Sequence, residues 1–97
     1  MAHISYNVKD NKEKESIKNN FIEKMYQSKY HYFKMNKLSN GSELILYDIN
    51  DVAVLFTTGG EIGENLGNIG MIGKLEDIIK TKKEIEKKIE MKIQLVK

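Results

Sequence analysis

The residues with the types and spacing to do chemistry fall into three groups: a glycine-rich run between Thr57 and Lys74, a histidine and an aspartate at positions 31 and 48, and aromatic residues flanked by lysine. In the first group, glycines stand at 59, 60, 63, 67, 70 and 73. Glycine lets a backbone come close to a ligand and aim successive N–H groups at an anion. Thr58, Gly59, Gly60, Gly70, Gly73 and Lys74 are therefore the candidate ligand-binding residues. The run lacks the Gly-Lys-Ser/Thr of a P-loop, and Gly63-Glu64-Asn65-Leu66-Gly67 puts a carboxylate where a phosphate would sit. Gly70-Met71-Ile72-Gly73 has the spacing of a KH loop, but its middle pair is apolar and it follows strand-like rather than helical sequence. As a weak helix, the run would line up Gly60, Gly63, Gly67 and Gly70 for close backbone packing. The leading expectation is a glycine-rich loop or hinge over 59–73 that orders on a partner.

His31 and Asp48 would form a minimal general-base pair if a hairpin brought their strands together. No nucleophile accompanies them, so the chain reads as non-enzymatic with no catalytic residue assigned, and a small hydrolase using His31 and Asp48 is the weaker alternative. His3 and His31 stand apart from any acidic cluster, which gives no metal site, and nothing calls for a cofactor. The third group, Tyr26, Tyr30, Tyr32, Phe33, Tyr47 and Phe56, could stack nucleic-acid bases. Strand parity places Tyr32, Tyr47 and Phe56 on the core side, so packing is the stronger reading.

Composition narrows the classes. All sixteen basic residues are lysine, and Arg, Pro, Trp and Cys are absent. Lysine acts as a point charge and cannot make the two-pronged contacts by which arginine reads guanine or phosphate, so base-specific recognition is disfavoured. The wealth of Lys, Ile and Asn points to an AT-rich coding sequence, as in low-GC bacteria, their phages and plasmids. Without cysteine there is neither a disulfide framework nor a thiolate nucleophile. No segment has the length and apolarity of a bilayer span, and the N-terminus lacks the pattern of a secretion signal, which points to a cytoplasmic protein. The net charge of +2 hides a segregation. Residues 1–40 and 71–97 are each lysine-rich, whereas residues 41–70 hold five acids and no lysine.

The elements that must position these groups follow from periodicity. Ile4, Tyr6 and Val8 alternate with polar residues, predicting a strand. Asp10 and Glu13 resemble a capping box ahead of Ile17, Phe21 and Met25, predicting a helix over 11–28. Strand-like runs at 30–35, 43–49 and 52–57 are joined by the turn pairs Asn40-Gly41 and Asn50-Asp51, predicting a three-stranded meander. Two-residue turns at both places put Met35 opposite Leu46 and Leu55. One face then gathers Tyr32, Ile45, Tyr47, Ile49, Val52, Val54 and Phe56, and the other gathers Phe33, Met35, Leu44, Leu46, Ala53 and Leu55. Both faces are apolar, so the first helix covers one, and the C-terminal helix or another subunit covers the other. Leu75, Ile78, Ile85 and Ile89 predict a helix over 74–88. Met91, Ile93 and Leu95 alternate as a final strand, a segment that a continued helix would also fit.

These observations predict a single α+β domain over 1–97: an antiparallel sheet in the order β-α-β-β-β-α-β, a variant of the ferredoxin-like sandwich, with two helices. The function they favour is a small homodimeric interaction module of the accessory, inhibitor or immunity kind found on phages and mobile elements, which binds a macromolecular partner, another protein, and does no catalysis. Phe33, Met35, Leu44, Leu46 and Leu55 form its expected interface. Binding of single-stranded nucleic acid or a nucleotide through lysines and the glycine-rich loop is the alternative.

Overall fold

Alternation in β1 (Ala2–Lys9) buries Tyr6 and Val8 on one side and leaves Ser5 and Asn7 half-buried on the other. The same period runs through β3 (Glu43–Ile49), β4 (Val52–Thr58) and β5 (Leu66–Gly73). Their inward rows are Ile45-Tyr47-Ile49, Val52-Val54-Phe56 and Ile69-Met71. The computed structural model describes residues 1–9, 17–39, 43–58 and 66–96. With β2 (Lys34–Lys37) and β6 (Lys92–Leu95), the strands form one six-stranded antiparallel sheet in the order β2-β3-β4-β5-β1-β6.

Two helices, α1 (Ile17–Gln27) and α2 (Leu75–Ile89), connect the sheet. Four adjacent strands, β6-β1-β5-β4, with one helix between β1 and β4 and one between β5 and β6, make the ferredoxin-like sandwich. The β2–β3 hairpin is inserted before β4 and widens the sheet at that edge. The strand beyond the five expected is β5, which occupies residues 66–73 of the glycine-rich run and pairs along its length with β4 and β1. That part of the expected loop is a strand, and 59–65 lie outside the described residues. Ile69 and Met71 alternate with Asn68 and Gly70, a period of two that the glycines mask at the sequence level.

Helix α1 buries Ile17, Phe21 and Met25, one turn apart. Phe21 stacks on Phe56 (ring centroids 4.1 Å apart, planes within 6°) and meets Tyr47 edge-on at 5.9 Å. Helix α2 buries Ile78, Thr81, Ile85 and Ile89 against the same core. Glu76 and Asp77 in its first turn and Lys87 and Lys88 in its last suit the helix dipole. Its end is set by Glu90 in the left-handed region (φ 56°). The segment after it is β6, so the strand reading holds there.

Both helices pack on one side of the sheet. The inward row of every long strand shares a core with them, while the opposite face carries no helix.

Candidate interaction surface

Strand register defines the open face. Across the middle lie Lys34, Leu46, Leu55, Gly70 and Ser5. One row toward the β3–β4 turn come Asp48, Ala53, Ile72 and His3, and one row the other way Asn36, Leu44, Thr57, Asn68 and Asn7. Leu44, Leu46, Leu55 and Ile72 are half-buried by neighbours and still present apolar surface. The β3–β5 half of the face is thus largely apolar, and the β1–β6 half is polar.

Three of the five expected interface residues, Leu44, Leu46 and Leu55, share this face as the β3–β4 turn dictates. That turn is a two-residue hairpin with Asn50 and Asp51 both at positive φ (53° and 62°), the conformation that matches strand twist. The expected position of Met35 is overturned. Its partner is Ile45, and Leu46 instead faces Lys34. The Phe33 N–H also donates to the Leu46 carbonyl at 3.0 Å, so Phe33 and Lys34 together oppose one residue of β3, as in a β-bulge. The pairing of Lys37 with Glu43 leaves five residues between the two strands, where a two-residue turn at Asn40-Gly41 would leave an even number, and that difference of one turns every side chain from Lys34 to Lys37 to the other face. Met35 therefore belongs to the helix side. Tyr32, before the bulge, keeps its expected side and meets Tyr47 edge-on at 6.4 Å.

Phe33 is 67% exposed and lines a shallow groove of about 590 Å³ at one corner of the sheet, with Met1, Asp48, Asp51, Ala53 and Ile72. The groove is apolar along its floor and carries two carboxylates. Ion pairs among the described residues are Lys18–Glu43 and Lys82–Glu86, so Asp48 and Asp51 have no cationic partner among them.

The turn bearing Asp51 is tied down from the helix side. Asn50 Nδ2 donates to Glu84 Oε2 (3.2 Å) and Thr81 Oγ1 (3.4 Å) on α2, and the Tyr30 hydroxyl donates to the same Glu84 oxygen at 2.5 Å. The Tyr30 hydrogen bond holds the Glu84 carboxyl below its ordinary range, with Asn50 adding to the effect. Burial and the Glu84 contact push the Tyr30 phenol up. Lys88 lies over the Tyr30 ring, 5.0 Å from its centroid. The cluster joins the segment after α1, the helix α2 and the β3–β4 turn.

The candidate ligand-binding residues are dispersed. Gly59 and Gly60 lie outside the described residues. Thr58 pairs with Gly67 at one end of β5, while Gly73 and Lys74 stand at the other, about 20 Å away at strand rise. Gly70 is in mid-strand between Ser5 and Leu55. Its missing Cβ makes room for the His3 ring, whose Nε2 would lie 3.2 Å from it. His31 precedes β2 and packs edge-on against Tyr26 at 5.1 Å, and no hydrogen bond or ion pair joins it to Asp48. The sequence reading missed Ile72 as a surface residue, because β5 was taken for a loop.

No protein-family model matches the chain, and comparison with curated proteins and with solved structures finds no match either. Among the described residues, no helix is long and apolar enough to cross a membrane.

Proposed function

We propose that the protein is a small interaction module that self-associates as a homodimer through the open face of its sheet and acts by occupying a macromolecular partner rather than by turnover. The observation that carries this reading is the row of Leu44, Leu46, Leu55 and Ile72 on a sheet face that neither helix covers. A contiguous apolar patch rimmed by polar residues is the usual mark of a contact surface. The face as a whole, its apolar and polar halves together, is large enough for a second copy. Six strands at a spacing of ~4.8 Å and a length of ~20 Å give roughly 500 Å² per protomer, or about 1,000 Å² in total, where specific interfaces begin. The dimer is therefore concentration-dependent.

Leu46→Lys places a charge at the centre of the patch without touching the core. Sedimentation velocity across a dilution series is expected to show a dimer for the natural chain and a monomer for the variant, with equal thermal melts at low concentration. A variant that still dimerises would remove the open face as the contact surface.

A further inference from the structure

The groove at the corner of the open face gives that dimer a register. We infer that Asp48 and Asp51 receive Lys34 from a second copy, an assignment that rests on the open face being the dimer contact. All three residues are exposed and have no ion-pair partner among the described residues. Lys34 is a lysine on the apolar half of the face, set there by its pairing with Leu46 and next to the outward-turned Phe33. Lys34 opposes Leu46 and is the diagonal neighbour of Asp48, so one corner of the face carries both halves of a complementary pair beside the apolar patch. A two-fold dimer needs that self-complementarity, because each contact occurs twice. The groove fits the whole lysine side chain. Its methylene stem lies along Phe33, Ala53 and Ile72, and its ammonium reaches the two carboxylates at the rim. Charge complementarity of this kind fixes register and discriminates against wrong packings more than it adds affinity.

Charge exchange between copies tests the assignment. Lys34→Asp alone and Asp48→Lys with Asp51→Lys are each expected to weaken homodimerisation at least about tenfold at low salt, through like-charge contacts that occur twice. Mixing the two proteins is expected to restore association and to give more heterodimer than a statistical mixture in a native mass spectrum. A salt bridge within one chain would give no such preference. All three positions are exposed, so the variants keep the core, and equal melts confirm it. If Leu46→Lys dissociates the dimer while the mixed charge variants give only a statistical mixture, the register is wrong and the contact face stands. If Leu46→Lys leaves the dimer intact, or the natural chain is monomeric at high concentration, both readings fall.

Discussion

Replacing Gly67 by alanine adds one methyl group where the core has no room. Built on the observed backbone, the new Cβ would overlap Phe56 Cε2 and lie 2.7 Å from Phe56 Cζ and 2.8 Å from Val8 Cγ1. The ring cannot retreat: Phe56 is fully buried and stacked on Phe21 at 4.1 Å. Overpacking of this kind costs about 1–3 kcal/mol, against about 0.5–1 kcal/mol gained by replacing a glycine in a strand. At the middle of these ranges the packing term wins, leaving a net loss of about 1 kcal/mol, and for a domain of this size each kcal/mol lowers Tm by about 4–8 °C. Gly70→Ala is the internal control. There the added Cβ meets only the His3 ring, with Nε2 at 3.2 Å, on the open face where an imidazole can swing aside. Urea denaturation of both variants at one low protein concentration measures the contrast. A Gly67→Ala protein as stable as the natural chain would mean that 66–73 is not a packed central strand, and the loop expectation would return.

Two pH limits follow from the buried and hydrogen-bonded groups. Glu84 has its folded pKa below the ordinary 4.5, held there first by Tyr30, so its contribution is in place above that value and is lost as pH falls through the lower folded value. The gap in urea midpoint between the natural chain and Glu84→Gln is therefore expected near neutral pH and should vanish in acid; a gap that persists there would refute the linkage. Burial raises the Tyr47 phenol well above its ordinary 10.0, so stability is expected to hold below that value and decline as pH rises beyond it. Tyr47→Phe should flatten this alkaline limb, and a limb of unchanged slope would assign it to other groups.

The sequence by itself determined the elements whose apolar spacing is unbroken. Ile17, Phe21 and Met25 mark one helix, the Ile78 to Ile89 pattern another, and Asn50-Asp51 a two-residue hairpin that sets the β3–β4 register. From these came the α+β class and the grouping of Leu44, Leu46 and Leu55 on one face. Local propensity misreads β5, because six glycines in one run suggest freedom when two of the three in the strand are set by what they touch: the Phe56 ring at Gly67 and the Asp51 carbonyl at Gly73. Those neighbours are distant in the chain. Only the tertiary structure decided that both helices pack on one side, leaving the other open, since which face a crossover helix takes depends on strand order and not on its own residues. It also decided the fate of β2. Five residues between the paired Lys37 and Glu43 turn Met35 inward and put Lys34 beside the acidic corner, and the hydrogen bond from Phe33 to Leu46 keeps Phe33 outward. A strand's side chains alternate, so a change of one residue in the span between two paired strands reverses every position of the strand, and no pattern within the strand records the length of that span.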